Sequence, residues 1–405
     1  MTNEKCSRPN KSSWKEILLF LPFSVAFLDT FFNYFLTNIS IQFRVGILSL
    51  GAVGIVFLIL GAKVFRISEK WILSIFFIQL SFLIGIFTAP DIGPARAFQI
   101  ISISIYFYCG YLAFRWTNNT RLTQNIMIIL SSVYITVCVL ALLKVNPAIF
   151  PVIDSIWSKQ GILESRPEIT TDQNFQVFYL LPAALAIVMP LNLLRFMICS
   201  ILVIGALYVL SQIQTRSGVI AFFIILFLGL LSTVKNKNMG RKKLLAIPII
   251  GITGAVFFLP YIISAASLII YRFTEHGYAT AQGRLDSTLY LFTRFFDVTW
   301  WLPQGNSEFL QATGNVPHTN VTAFFLEAGI IGLVFWIYII VIPTLSLGLR
   351  VFFRGRLDPT ATVVCCASLG VLALQLTLNA PVHSQVWLWA GAVIAINERL
   401  KHTKL

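Results

Sequence analysis

Charged side chains are scarce in this 405-residue chain: Asp, Glu, Lys and Arg make up 11% of it, where a soluble domain carries roughly a quarter. Too little polar surface is present to coat a globule in water, which excludes an ordinary soluble fold. Acid is scarcer than base, 16 residues against 30. Of the six cysteines, Cys109, Cys138, Cys199, Cys365 and Cys366 fall inside apolar runs and only Cys6 lies outside them. Neither a disulfide framework nor a CxxC metal site is on offer, and packing is their expected role. The chain has no HExxH, no GxSxG and no P-loop, so none of the chemistries tied to those motifs is indicated. No internal repeat or low-complexity stretch divides it, and residues 1–405 read as one domain.

What is present is apolar. Hydrophobic residues make up 57% of the chain and mean hydropathy is +0.81. They come in blocks of about 18–25, the length that carries a helix across roughly 30 Å of hydrocarbon. The expected class is therefore an all-α integral membrane protein, a polytopic bundle of about 12 transmembrane helices. The predicted spans are 15–36, 45–65, 71–88, 97–114, 125–144, 175–191, 195–213, 217–234, 244–269, 320–348, 360–379 and 384–397. The basic leader with Lys5, Arg8, Lys11 and Lys15 precedes an apolar run too long for a signal core, so the first span reads as uncleaved.

The net charge of +14 would suggest nucleic acid in a soluble protein, but its placement argues against such a partner. Most Lys and Arg fall in the segments 5–15, 63–70, 115–121, 235–243, 350–356 and 399–404, all on one side of the predicted bundle. By the positive-inside pattern that side is cytoplasmic, and so are both termini. The 235–243 run then reads as a solvated anchor. Two outer segments are long enough to hold a site, 145–174 and 270–319, and most acidic residues lie on that outer face, which carries no Asp-x-Asp pair. The usual divalent-metal site of sugar-nucleotide transferases is thus missing.

Three outer features carry chemistry. The turn SQIQTRSG pins Arg216 near the membrane surface, where arginine is costly unless it meets a counter-charge or an anion. It is either a snorkelling interfacial arginine or a phosphate ligand, since the guanidinium fork suits phosphate oxygens. Loop 270–319 holds Arg272, His276, Arg284 and Arg294. Within it Leu285, Leu289, Phe292 and Phe296 recur at helical spacing, which predicts a short amphipathic helix on the membrane surface. His318 closes the loop in PHTNVTAFFLEAGIIG; it reads as an interfacial cap or structural histidine, or as a base that titrates near pH 6.5. Glu327, nine residues on, is expected about 13–14 Å deeper along the helix. Gly329 and Gly332 permit close helix contact.

The run PHTNVTAFFLEAGIIG resembles the His-containing loop-to-helix motif of the bacterial O-antigen ligase and polymerase family, through His318, Glu327, Gly329 and Gly332. That family usually has Asn, Ser or Gln directly after the histidine; here Thr319 follows, with Asn320 one place later. GRLDSTLYLF with WLPQGNSEF is similar to the family's Gly-Arg and Pro-x-Gly stretches. SRPEITTDQNFQVFYLLPAALAI resembles its Arg…Asn entry into a middle span through Arg166 and Asn174, and QTRSGVIAFF its Ser/Arg turn through Arg216. These stretches cover roughly 160–335. Family ligases tend to show Arg-x-x-x-Leu in the large loop, whereas Arg284 is followed four later by Thr288.

The resemblance implies a metal-independent, cofactor-free inverting glycosyl transfer at the periplasmic face of the bacterial inner membrane. The donor would be a glycan on undecaprenyl diphosphate, and the acceptor lipid A-core or a growing polysaccharide. Membrane lipids and polysaccharide-assembly proteins are the further partners expected. In this reading Arg216 and Arg284 hold the diphosphate, with Arg166, Arg272 and Arg294 behind them, and His318 is the base. Asn320, Glu327, Gly329 and Gly332 support the site. A transporter or flippase for a lipid-linked or anionic substrate is the alternative from another class, and a non-catalytic assembly scaffold is a third.

Overall fold

A computed structural model describes residues 14–28, 46–88, 95–117, 119–142, 177–188, 193–213, 216–235, 289–305, 307–313, 319–353, 358–376, 378 and 381–402. Among these residues the fold is all-helical, with no strand. In chain order the helices are α1 (Trp14–Phe27), α2 (Ile47–Leu60), α3 (Glu69–Thr88), α4 (Ala95–Arg115), α5 (Thr120–Leu142), α6 (Val177–Val188), α7 (Leu193–Ile213) and α8 (Arg216–Lys235). After these come α9 (Ser307–Thr313), α10 (Asn320–Trp336), α11 (Ile342–Phe353), α12 (Pro359–Gln375) and α13 (Ser384–His402). A helix stands at every predicted span except 244–269, which lies outside the described residues, as do the 145–174 loop and half of 270–319.

The helices weave up and down, and interlocking contacts fix their register. Gln124 near the start of α5 donates to Ala186 O near the end of α6 and accepts from Arg195 near the start of α7. Tyr134, further along α5, stacks on Tyr179 near the start of α6. Helices α4 and α13 run antiparallel with backbones in contact: a Cβ on Gly110 would strike the Leu388 carbonyl, and one on Gly391 the Phe107 carbonyl. The bundle thus has a Glu69 end and a Thr88 end, named for the termini of α3. The Thr88 end is the one that charge placement expects to face outward.

Helix α3 is apolar on both faces. Trp71, Ile75, Ile78 and Phe82 are buried together with Ser74, Ser81 and Gly85, while Leu73, Phe76 and Phe87 are exposed, Phe87 by 88%. Both serines turn their hydroxyls back to carbonyls of their own helix, Lys70 O and Phe77 O. Large apolar residues left on the outer face are a poor arrangement in water, and small residues among the buried ones are common between helices in lipid. Among the described residues two stretches are long and apolar enough to cross a membrane, Glu69–Thr88 and Asn320–Phe353.

The second stretch is not straight. Asn320 Nδ2 and Trp336 Nε1 both donate to Gln375 Oε1, at 3.0 and 2.9 Å. Residues 16 apart on a straight helix would lie about 24 Å apart. Phe324 likewise stacks on Trp336, with ring centroids 5.6 Å apart. The chain therefore doubles back, and the turning point is Gly329, with φ 64° and ψ −170°. That conformation is open to glycine and strained for other residues.

A short limb, residues 320–328, climbs toward the Thr88 end, and a long one, residues 330–353, returns. The reversal is tightly packed. Cβ atoms on Gly329, Gly332 and Gly85 would run into Trp301 O, the Ala328 side chain and Glu327 O respectively. The break leaves carbonyls without helical partners, and residues 301–305 fill it. Gln304 N and Gly305 N both donate to Leu326 O at 2.9 Å, and Thr88 Oγ1 donates to Pro303 O at 3.0 Å.

This corrects the expected single span over 320–348 and the depth of Glu327. Because the short limb climbs, Glu327 sits at the apex, against Gly85 one turn from the end of α3. Asn320 is the deeper residue, placed against Gln375. The prediction concerns the apex: Gly329→Ala should lower unfolding stability in detergent by roughly 3 kcal/mol or more, from strain and overlap together. Gly54→Ala, in α2 with open space around it, should be neutral or stabilising by up to about 1 kcal/mol. Equal melting of the two variants would refute the strained reversal.

Candidate functional site

Of the residues singled out from sequence, Arg166, Arg272, Arg284 and His318 lie outside the described residues. Arg216 opens α8, though its side chain is not described. Asn320, two residues after His318, opens α10 and is fully buried. Thr319 caps that helix, its hydroxyl accepting from Thr322 N at 3.2 Å, so the departure at Thr319 has a structural use.

Arg216 and Asn320 begin their helices at one level. Gly370 of α12 packs on Ala221 and Ile225 of the antiparallel α8. Arg216 lies five residues before Ala221 and Gln375 five after Gly370, so each stands about 7–8 Å nearer the Thr88 end. Gln375 is the residue that Asn320 touches. The start of α8 thus stands at the level of the end of α12, and the start of α10 is bonded to that end through Asn320 and Gln375.

Gln375 was not among the sequence candidates and is the polar centre of this region. An indole N–H can only donate, so Trp336 fixes Oε1 as the atom facing it and Asn320. Gln375 Nε2 is then turned away, buried and without a hydrogen-bond partner. Among the described residues nothing accepts from this amide, and a buried amide left so costs about 1–3 kcal/mol. A polar side chain at the end of an apolar helix was the available signal.

His383, also missed, ends the turn before α13. It stacks on Phe178 at 4.7 Å and lies tilted over Tyr179 at 6.0 Å, beside the helix that follows Asn174. Its Nδ1 accepts from Gln385 N at 3.3 Å, which puts the proton of the neutral ring on Nε2. The turn is held by Gln385 Nε2 donating to Phe27 O and Trp387 Nε1 donating to Pro381 O. Burial pushes the imidazole down to about 3, so it stays neutral across the physiological range. Its being one of only four histidines was the signal in the sequence.

Within the large loop, residues 289–294 are helical, in line with the amphipathic helix expected there. Leu289, Phe292 and Phe296 of the apolar stripe are 55%, 65% and 74% exposed, while Leu291 is buried. Arg294 is engaged by its own loop, lying over Tyr290 and Trp300 at 5.2 and 5.3 Å and 3.8 Å from Asp297. Asp297 Oδ1 accepts from Thr299 N and Oγ1. Those bonds, ahead of the Arg294 charge, lower the Asp297 carboxyl below the usual range. Arg294 therefore shapes this loop. Among the described residues no group of three His, Cys, Asp or Glu side chains stands close enough to hold a metal ion, and the described cysteines are buried and outside any disulfide.

No model of a known protein family matches the chain, and no curated protein sequence matches it at a significant level.

Two predictions follow from this geometry. Gln375→Leu strands two buried donors and should cost about 2–4 kcal/mol. Adding Trp336→Phe should return part of that, giving a positive coupling of about 1 kcal/mol in a double-mutant cycle of unfolding in detergent. Strict additivity would refute the shared acceptor. For His383 the folded pKa lies below its unfolded value near 6.5. The unfolded chain therefore takes up the proton first, and stability falls as pH drops below about 6.5 toward 3. His383→Gln should flatten that acid limb, and an unchanged pH profile of thermal unfolding would exclude the effect.

Proposed function

We propose that this chain is a polytopic inner-membrane glycosyltransferase of the O-antigen ligase type. It would move a glycan from undecaprenyl diphosphate to a hydroxyl of lipid A-core at the periplasmic face. The observation that carries the reading is the run PHTNVTAFFLEAGIIG, with the other resembling stretches in family order along the chain. The structure adds support: Gly329 and Gly332 of that run build the reversal, and the run's entry is drawn inside the bundle at the level where Arg216 opens α8. The outward-facing apolar residues of α3 support a hydrocarbon surround, and about 12 spans with the Thr88 end periplasmic follow from the charge placement.

In this reading the diphosphate is held by Arg216 and Arg284, which stabilise charge as the bond from sugar carbon 1 to the diphosphate oxygen breaks. His318 takes the proton of the attacking hydroxyl, the oxygen enters from the opposite face, and the sugar inverts. The diphosphate leaves with the bonding pair. Arg166, Arg272 and Arg294 stand behind the first two arginines, and Asn320, Glu327, Gly329 and Gly332 hold the frame. A polymerase of the same family, using a growing polysaccharide as acceptor, differs only in that acceptor.

A transporter of a lipid-linked or anionic substrate is favoured by one observation, the broken α10, since discontinuous helices are common in transport sites. Here the break is filled by residues 301–305 and lies one turn from the end of α3, away from mid-bundle. The deciding assay uses purified protein in detergent with lipid-linked donor and lipid A-core acceptor. Wild type should form product, and His318→Ala, Arg216→Ala and Arg284→Ala should each lose it at least 100-fold with normal protein levels. No product from wild type, or full activity in His318→Ala, would sink the proposal. In a deletion strain, loss of all attached chains indicates a ligase and survival of single-unit attachment a polymerase.

A further inference from the structure

At the opposite, Glu69 end lies a cavity of about 420 Å³, between the segment that leads into α3 and the last turns of α4 and α13. Its lining carries four cations, Arg66, Lys70, Arg115 and Lys401, and one carboxylate, Glu398. That carboxylate is already committed. Trp71 Nε1 donates to Oε1 at 2.9 Å and the Tyr111 hydroxyl to Oε2 at 2.8 Å. Arg115 Nε is shut away from solvent without a hydrogen-bond partner, and Glu398 Oε2 stands 3.9 Å from it. The neighbouring Arg399 is occupied elsewhere, by Asp358 and the Phe114 and Thr117 carbonyls. Lys70 rests over the Trp71 ring at 4.7 Å, which holds its ammonium at the rim.

The lining is therefore three positive charges in excess in a concave site, with the enclosed Nε of the half-buried Arg115 at its back. Solvated anchor residues would be spread over a convex surface, each with its own water. Converging cations around an unfilled donor suit a doubly accepting anion, and a phosphate group has the geometry and charge for Arg and Lys together. The apolar outer face of α3 begins at this level, with Ile72 and Leu73 exposed, so a phosphate with acyl chains attached could lie along it. Basic pockets between helices on the cytoplasmic side are known to take anionic headgroups.

We propose that this cavity is a binding site for a phosphate group, carried on an anionic phospholipid headgroup or free in solution. The site is independent of the glycosyl-transfer reading, since it lies at the other end of the bundle and uses none of that reaction's residues. The test is thermal unfolding of the full-length protein in detergent, titrated with phosphatidylglycerol, with phosphatidylcholine, and with inorganic phosphate. Phosphatidylglycerol should raise the melting temperature saturably and phosphatidylcholine should not, and Lys70→Ala/Lys401→Ala should weaken the apparent affinity at least tenfold. His318→Ala should bind as wild type does. An equal response to inorganic phosphate, lost in the same double variant, supports the site and assigns it to a soluble ligand. If the double variant does not fold, Lys401→Ala alone, exposed in the last turn of α13, should weaken binding at least threefold. Equal stabilisation by phosphatidylcholine, no stabilisation by either phosphate ligand, or unchanged affinity in the variants overturns the proposal.

Discussion

The reversal of the backbone at Gly329 is the constraint on which the Thr88 end of this bundle depends. One residue with φ 64° turns what composition reads as a 34-residue apolar helix into two limbs packed against each other. Without it the 320–328 limb would continue the line of 330–353 past the end of α3, and Asn320 could not reach Gln375. The surrounding parts exist only because the turn does. Leu326 O is released from its helix and is taken by Gln304 N and Gly305 N. Gly85 gives the space that the Glu327 carbonyl occupies.

The rest of the bundle is held by contacts that do not rely on water. Where helices are surrounded by hydrocarbon, burying a leucine gains little, and close backbone packing and interhelical hydrogen bonds carry more of the specificity. The described interfaces follow that rule. Gly110 and Gly391 bring α4 and α13 into backbone contact, and Gly370 of α12 makes room for the Ile225 side chain of α8. Side-chain amides reach carbonyls on other helices: the buried Gln124 to Ala186 and Asn397 to Pro343, and the half-buried Gln79 to Ile100. Asn397 meets a carbonyl in the stretch where proline and a π-turn over Ile337–Val341 loosen the regular ladder. Large side chains such as Leu58 and Phe87 are left on the outside.

Much of the helix layout was legible in the sequence because blocks of 18–25 apolar residues leave little choice of element. The boundaries of α3, α4, α7 and α8 fall within two residues of the predicted spans. The fold within 320–353 was not legible, because hydropathy is blind to a backbone reversal between two apolar segments. Gly329 was noted as a close-contact residue, and only φ and the shared acceptor Gln375 reveal it as a turn. The same blindness hid Gln375 and His383, each of which gains its place from partners more than 35 residues away in the chain, Asn320 and Phe178 among them. Arg294, by contrast, was given a candidate role from charge alone, and local neighbours that charge counting ignores hold it in its loop.

The reversal also changes what a loop-borne group can do. A histidine at the entry of a straight membrane helix would sit at the water interface, where its interactions are screened. Drawn inward by a limb of nine residues, the entry at Thr319 and Asn320 lies about 13 Å below the apex along the helix, among Trp336, Phe324 and Gln375. Charge interactions there are several-fold stronger than in bulk water. Under the proposed reading, that is where an arginine pair can stabilise a departing diphosphate. The fully buried Asn320 and Gln375 amides, bonded to each other and to Trp336, hold that entry in place.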